Sequence, residues 1–412
     1  MMSEVRDIGL APSGEQKIAW VEKNMPVLRS IKAQFEKEQP FAGMKVSLSI
    51  HLEAKTAYLS RVLAAGGAQM AVTGSNPLST QDDIVAALAA GGMDVYAWYG
   101  ATPEEYERHI DMALAHGPDL VMDDGADLSE ALHTRMKDKA GAVIGACEET
   151  TTGVLRFQAR EKAGTLNYPV IAVNDGDCKH LFDNRYGTGQ SVFDAIMRTT
   201  NLVIAGKTVV VAGYGWCGKG VAMRAKGLGA KVIATEVDPV CALEAAMDGF
   251  EVMPMDDAAK IGDVFITVTG CNDVITDRHF KMLKDGAILT NAGHFDVEVS
   301  IAKLKQMADE AFEARKNIQG YRLGGKTVYT LGEGRLVNLA AGDGHPAEIM
   351  DLSFALQALS LKYLLDSKGT LDRKVYNVPR NIDQHVAKLK LAAMGISIDA
   401  LTDAQRKYMF GE

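Results

Sequence analysis

The segment Thr208-Val-Val-Val-Ala-Gly-Tyr-Gly-Trp-Cys-Gly-Lys-Gly220 restricts the fold more than any other part of the chain. Its glycines at 213, 215 and 218 have the spacing G-x-G-x-x-G. Spacing alone says little among 40 glycines in 412 residues, so the flanking sequence has to carry the assignment. The β-branched run 208–211 predicts a buried strand, and residues 221–228 predict a helix ended by Gly229. Strand, glycine turn and helix in that order make a phosphate-binding turn. Gly213 permits the tight turn, Gly215 lets a pyrophosphate approach the backbone, and Gly218 lets helix pack on strand, with the helix N-terminus facing the anion. A second predicted strand, 231–235, ends at Glu236. An acid there accepts hydrogen bonds from an adenosine ribose and repels a 2′-phosphate, which selects NAD over NADP.

With 47% apolar and 24% charged residues the chain can bury a large core divided into two or three domains. Its net charge of -9 is dispersed and no basic run occurs, which argues against nucleic acid and anionic membrane surfaces as partners. Small molecules are the expected ligands. No uncharged apolar run reaches the roughly 18 residues of a membrane span, and the first residues lack a signal-peptide core, so a cytoplasmic location is expected. Cysteines 147, 178, 217, 241 and 271 form an odd, scattered set without C-x-x-C, which points to reduced thiols, no disulfide frame and no metal site.

A helical pattern over 15–38 leads into a series of predicted strands at 45–50, 69–73, 94–98, 119–122, 142–147 and 170–173, with helices between them. This is a βα series with a mainly parallel sheet covered on both faces. Polar clusters stand where these strands stop, as ligand-binding residues do in open α/β sheets. The stretch 179–189 reads as a hinge into the dinucleotide domain. That domain continues with strands at 264–268 and 287–289 and a hairpin around 321–329. The passage Gly342-Asp-Gly-His-Pro346 should return the chain, through a helix over 349–365, to the first domain. The expected fold is therefore α/β: two doubly wound Rossmann-like domains plus a small helical C-terminal unit. The boundaries expected are 1–184 with 346–376 for the first domain, 185–345 for the second, and 377–412 for the C-terminal segment.

Several polar groups admit both a structural and a chemical role. His51, His294 and His345 stand at strand ends or at the crossing, where a histidine either satisfies buried polar groups or moves protons. Asp123 and Asp124 can form a solvated turn, or one of them can be buried beside a histidine and orient it. Glu148 and Glu149 can start a helix with the threonines that follow. Lys179 and Asp183 can be a solvated pair four residues apart. A proton-accepting Lys179 instead needs a lowered pKa.

Pattern alone indicates an NAD-dependent enzyme with a cleft between two α/β domains, which a hydroxy-acid dehydrogenase fits equally well; the motifs in combination resemble the S-adenosylhomocysteine hydrolase family. They are His51-Leu-Glu-Ala-Lys-Thr56, Ser75-Asn-Pro-Leu-Ser-Thr-Gln-Asp82, Asp123-Asp-Gly-Ala-Asp-Leu128, Glu148-Glu-Thr-Thr-Thr-Gly153, Phe182-Asp-Asn-Arg-Tyr-Gly187, the glycine turn, Asn291-Ala-Gly-His-Phe295 and Glu333-Gly-Arg-Leu-Val-Asn338. The resemblance spans nearly the whole chain. It implies reversible hydrolysis of S-adenosyl-L-homocysteine to adenosine and L-homocysteine with tightly held NAD: 3′-oxidation, elimination of homocysteine, addition of water and 3′-reduction. By position in the motifs, Lys179 and Asp183 would serve the 3′-hydroxyl, with Lys179 accepting the proton. Asn184 would hold NAD and substrate. His51 and Asp124 would move protons at C5′, Glu149 and Thr150 would bind substrate, and His294 would sit beside the sugar. Thr150, Thr151, Thr152, Gly213, Gly215, Gly218, Glu236, Asn291 and Asn338 would hold NAD. Thr56, His345 and Phe354 would lie around the base or at the entrance. A homotetramer is the family expectation, and a non-catalytic binding homologue is the remote alternative.

The chain departs from the family in two places. The lysine- and tyrosine-containing tail of many members is replaced by Tyr408-Met-Phe-Gly-Glu412, which leaves the sealing of NAD across subunits open. The segment after His51 carries Glu53 and Lys55 where many relatives have threonine and then an acid or glutamine. Lysine only donates and ionised glutamate only accepts, so Lys55 on O6 and Glu53 on N1–H of hypoxanthine would suit S-inosyl-L-homocysteine as the alternative substrate, unless the two side chains point to solvent or pair with each other.

Overall fold

The computed structural model describes residues 3–411. Six strands build the first sheet: β1 (Lys45–Ile50), β2 (Gln69–Gly74), β3 (Asp94–Tyr96), β4 (Leu120–Asp123), β5 (Gly145–Glu148) and β6 (Val170–Ala172). Eight build the second: β7 (Thr208–Ala212), β8 (Lys231–Thr235), β9 (Glu251–Val252), β10 (Val264–Thr267), β11 (Ile288–Asn291), β12 (Glu310–Arg315), β13 (Ile318–Leu323) and β14 (Lys326–Leu331). A final strand, β15 (Val375–Asn377), rejoins the first sheet.

The first sheet has the order β15-β6-β5-β4-β1-β2-β3 and is parallel throughout. The second has the order β12-β13-β14-β11-β10-β7-β8-β9, parallel except for the antiparallel pairings of β13 with β12 and β14. Successive strand residues enter different cores. Leu48, Ile50 and Met122 belong to one apolar cluster while Val121 and Ala146 belong to another, and Val209 and Val211 separate in the same way from Val210. Because side chains alternate across a strand, each sheet is covered on both faces. The winding reverses between β1 and β4 in the first sheet and between β7 and β10 in the second. Both reversals open a crevice at the carboxyl ends of the strands, where α/β sheets take ligands.

Four details differ from the sequence expectation. The helix over 15–38 is two helices, Ala11–Asn24 and Pro26–Glu38, because Pro26 lacks the N–H that would continue the first. The hinge stretch is helical from Asp177 onward: a short turn, Asp177–Lys179, widens into a π-helix, His180–Gly187, and then tightens into an α-helix, Thr188–Thr200. The helix after the glycine turn starts at Trp216, since residues 216–220 already have helical geometry. Strand β15, too short and mixed to register as a pattern, pairs in parallel with β6. The helix Ala347–Asp366 packs its Leu352, Leu356 and Leu361 into the core of the first sheet, so the 342–346 passage does carry the chain back.

Candidate active site

A cavity of about 620 Å³ lies between the two sheets, lined from one side by His51, Asp124 and Lys179 and from the other by Gly215, Thr269 and His294. The strand ends place these residues. His51 follows β1, Asp124 follows β4 and Glu149 follows β5, while Gly213 follows β7 and the loop bearing His294 follows β11.

One cluster centres on Lys179. Its Nζ lies 2.9 Å from Asp183 Oδ2, 3.3 Å from Glu149 Oε1 and 2.9 Å from Asn184 Oδ1. This is no solvated i,i+4 pair, because the Lys179 and Asp183 side chains are 7% and 1% exposed. The π-helix explains the geometry: its wider turn gathers Lys179, Asp183 and Asn184, and such segments recur at functional sites. Asp183 is also held by His345 Nδ1 and by Ser353 Oγ at 2.7 Å, and Gln357 donates to Glu149 Oε2 at 2.5 Å. His345, read from sequence as a residue near the base or the entrance, therefore stands against Asp183. Burial would lower the Lys179 pKa, but the carboxylates of Asp183 and Glu149 override it and hold the ammonium above its usual range. A lowered Lys179 pKa is thus not found. Burial would raise Asp183, yet Lys179 and His345 hold it well below the ordinary carboxylate range. Glu149 is pushed up to about 7, chiefly by burial. That value matches proton transfer near neutral pH.

A second cluster joins His51, Asp124 and His294. His51 Nε2 is 3.5 Å from Asp124 Oδ2, and His294 Nδ1 is 4.0 Å from Asp124 Oδ1. Ser79 Oγ lies 2.6 Å from His51 Nδ1, and Ser75 Oγ donates to Asp124 at 2.9 Å. These serines stand in the Ser75–Asp82 motif but had no role assigned from sequence. Burial lowers His51 to about 4, so its imidazole is neutral at pH 7, with one ring nitrogen an acceptor. The two ambiguous acid pairs divide their labour. Asp123 accepts from the N–H of Ser129 at 2.8 Å and caps the helix Asp127–His133, leaving Asp124 to the histidines. Glu148 Oε1 accepts from the N–H of Gly125 and Thr150, leaving Glu149 to Lys179. The ligand atoms of His51, Asp124 and His294 all lie within 4.8 Å of one another, a donor set that can hold a transition-metal ion.

The glycine turn fits a dinucleotide. Gly213 has φ of +100°, a Cβ on Gly218 would meet Gly213 O at 2.0 Å, and a Cβ on Gly215 would meet nothing within 4 Å. The first and third glycines are thus required by the backbone, and the second leaves open space beside the helix N-terminus. On the same cavity, Thr152 Oγ1 and Asn338 Oδ1 are buried without a hydrogen-bond partner, and buried polar atoms of this kind ordinarily have one. Thr150, Thr151 and Asn184 share the cavity wall. Glu236 accepts from Tyr214 N and Val237 N at 2.6 Å, which fixes its carboxylate between the turn and the end of β8. Asn291 holds its own loop instead of lining the cavity: its amide donates to Gly293 O and Phe295 O, at 3.1 and 2.8 Å. Glu298 was not found from sequence, having no motif around it. It accepts from Thr269 N and Gly270 N, both at 2.9 Å, and shapes the wall beside the turn.

At the third corner, Glu53 and Lys55 line the cavity with Thr56 and Phe354. Lys55 Nζ lies 2.9 Å from Glu53 Oε2 and donates to Asp343 O at 3.1 Å, and both residues are buried. Glu53 Oε2 also accepts from Lys55 N at 3.0 Å, so one oxygen of this carboxylate takes both contacts.

The S-adenosyl-L-homocysteine hydrolase family model matches residues 2–144, and the model of that family's NAD binding domain matches residues 184–344. A Methanocaldococcus jannaschii protein named S-inosyl-L-homocysteine hydrolase is 57% identical over 408 residues, covering 99% of this chain and 98% of that protein. An adenosylhomocysteinase of Thermococcus kodakarensis is 56% identical over 406 residues, covering 98% and 96%. One from Archaeoglobus fulgidus is 56% identical over 396 residues, covering 96% and 98%. The glycine turn between β7 and its helix is accordingly that of an NAD-binding domain, and the chain belongs to the S-adenosyl-L-homocysteine hydrolase family.

Proposed function

We propose that the chain catalyses the reversible hydrolysis of an S-nucleosyl-L-homocysteine, S-adenosyl-L-homocysteine by family and S-inosyl-L-homocysteine by the chemistry of its base pocket. The observation that carries the reaction is the Lys179, Asp183, Asn184 and Glu149 cluster on the same cavity as the glycine turn. NAD, when bound, supplies reversible hydride acceptance at the 3′ carbon, which makes the neighbouring 4′ hydrogen acidic. Lys179 holds the 3′-hydroxyl, and Asp183 keeps the ammonium in place. Because Lys179 is held in its charged form, the proton leaving the hydroxyl needs a second receiver. Glu149, 3.3 Å from Lys179 and raised to about 7, is that group. His51, neutral at pH 7, and Asp124 exchange protons at C5′ as homocysteine leaves and water enters, and His294 closes over them. Thr150, Thr151, Thr152, Asn184 and Asn338 hold the cofactor beside Gly215, Asn291 shapes the loop that brings His294 in, and Glu236 holds the ribose end.

Glu53 and Lys55 pair with each other in the cavity, the alternative to a base contact, so the inosyl reading requires that a bound base engage this pair. In that reading the carboxylate accepts from N1–H and the ammonium donates to O6 of hypoxanthine. Adenine reverses both groups at these positions, and a mispaired buried polar group costs about 1 to 3 kcal/mol. Comparing kcat/KM for the two thioethers tests this part, and a strong adenosyl preference overturns it. Bound NAD, and its partial reduction when nucleoside is added, tests the reaction. A purely regulatory homologue shows no reduction, and a plain dehydrogenase releases NADH continuously.

Residues 1–184 with 346–376 form the substrate lobe in this reading, 185–345 the NAD lobe and 377–412 the C-terminal segment. Asn377 stays with the substrate lobe through β15. Assembly as a homotetramer is supported by exposed apolar side chains of the C-terminal segment, Ile398, Tyr408 and Phe410, and sedimentation tests it. A cytoplasmic location is supported by five cysteines that are all unpaired. No helix among the described residues is long and apolar enough to cross a membrane.

A further inference from the structure

The helical run that carries Lys179 begins without a cap of its own. Its first residues, Asp177 and Cys178, have backbone N–H groups that no earlier turn can accept, and the preceding residue is Gly176, which has no side chain. A side chain is hard to place there: a Cβ on Gly176 would lie 3.1 Å from Leu356 Cδ1 and 3.2 Å from Val378 Cγ2. The missing acceptors come from Asp383, more than 200 residues later in sequence. Its Oδ2 accepts from Asp177 N at 2.5 Å and its Oδ1 from Cys178 N at 2.8 Å. The Cys178 thiol closes the contact on Asp383 O at 3.4 Å. Asp383 is buried, at 7% exposure, in the first turn of the helix Arg380–Ala393.

That helix is pinned at its other end as well. Lys390 Nζ donates to Glu348 O at 2.8 Å and to Asp351 Oδ2 at 3.1 Å, and both acceptors belong to the helix Ala347–Asp366. The helix Ala347–Asp366 bears Ser353, which holds Asp183, and Gln357, which holds Glu149. The helix Arg380–Ala393 therefore joins the run that bears Lys179 to the helix whose side chains hold Asp183 and Glu149.

We propose that Asp383 is a positioning residue for the oxidation step: by capping the turn Asp177–Lys179 from outside, it sets Lys179 at its reach from Asp183, Asn184 and Glu149. The role rests on the reading of Lys179 as the residue serving the 3′-hydroxyl. The π-helix makes the cap consequential. It is a rare geometry that lies between this turn and the α-helix that follows, so without Asp383 the uncapped first turn can fray and carry Lys179 with it. A displacement of about 1 Å in a positioned group costs on the order of a hundredfold in rate.

The test follows the absorbance of reduced nicotinamide after nucleoside is mixed with NAD-loaded enzyme in a single turnover. Wild-type enzyme reduces its cofactor; if it does not, the reading of Lys179 falls and this role with it. With wild-type reduction in hand, Asp383→Ala should slow the step about a hundredfold at saturating nucleoside while NAD content and KM stay near wild type. Asp383→Asn keeps one acceptor oxygen and should slow it about tenfold. Lys390→Met, which loosens the same helix without touching the Asp177 turn, should lower the thermal midpoint and leave the reduction rate unchanged. Reduction at the wild-type rate in Asp383→Asn, or an equal slowing in Lys390→Met, overturns the proposal. The Asn variant keeps the question open to test if the Ala variant fails to fold.

Discussion

Replacing Lys55 by glutamine gives the most direct test of how this cavity reads a nucleobase. Lys55 Nζ makes a 2.9 Å ion pair with Glu53 and a 3.1 Å bond to Asp343 O, and both partners of the ion pair are buried. Glutamine keeps a donor, but a neutral one, and adds an acceptor that adenine can use. A hydrogen bond to a charged group contributes about 1.5 to 3 kcal/mol. Exchanging it for a neutral one, which contributes about 0.5 to 1.5 kcal/mol, loses about 1 to 1.5 kcal/mol and should lower kcat/KM for S-inosyl-L-homocysteine by about fivefold to tenfold. The adenosyl compound should lose little or gain, so the inosyl-to-adenosyl ratio should fall by about fivefold or more. The assay is thiol release from each thioether at low substrate, with thermal melting run alongside because Glu53 also caps the helix Ala54–Ala65 through Lys55 N. Equal losses for both substrates, with the ratio unchanged, would show that Lys55 only props the helix and refute the reasoning.

Four further outcomes follow from the geometry. Glu149 must be ionised to receive a proton, and its pKa is raised to about 7, so nicotinamide reduction by added nucleoside should rise with pH through about 7. Glu149→Gln should remove that limb in a stopped-flow pH series. Burial lowers His51 from 6.5 to about 4, so its neutral form stabilises the fold above pH 6.5, and that contribution is lost as pH falls toward 4. Melting curves of His51→Gln should therefore depend less on pH across that window than those of the wild type. Gly218→Ala forces a Cβ to 2.0 Å from Gly213 O and should destabilise the fold by several kcal/mol, on the order of a severe core clash. Gly215→Ala, with open space around it, should melt like the wild type yet retain less NAD on gel filtration. Added zinc should inhibit turnover reversibly through His51, Asp124 and His294, and His294→Ala should weaken the inhibition, while a chelator alone should leave wild-type turnover unchanged.

What could be read before any fold was known depended on local chemistry. The glycine turn, the strands around it and the helix that follows are short-range patterns, because strand alternation and glycine dihedrals are properties of neighbouring residues. The family motifs likewise named most side chains on the cavity wall. Once the resemblance placed the segment after His51 near a base, the chemistry of Glu53 and Lys55 offered it an acceptor and a donor.

Tertiary structure decided the states and pairings of those groups. Lys179 and Asp183 are four apart in sequence and would be a solvated pair on an isolated helix. Burial against the helix Ala347–Asp366, with Glu149 brought in from β5, makes them a charged cluster that keeps Lys179 protonated and moves the neutral-pH titration to Glu149. Asp123 and Asp124 are alike in sequence, yet one caps a helix and the other meets two histidines, because a strand end points its successive residues in opposite directions. The cap on the Lys179 turn comes from Asp383, a contact across more than 200 residues that no local pattern encodes. Desolvation and long-range contacts exist only once the chain has folded, and they set the protonation and placement of residues whose identities were already legible.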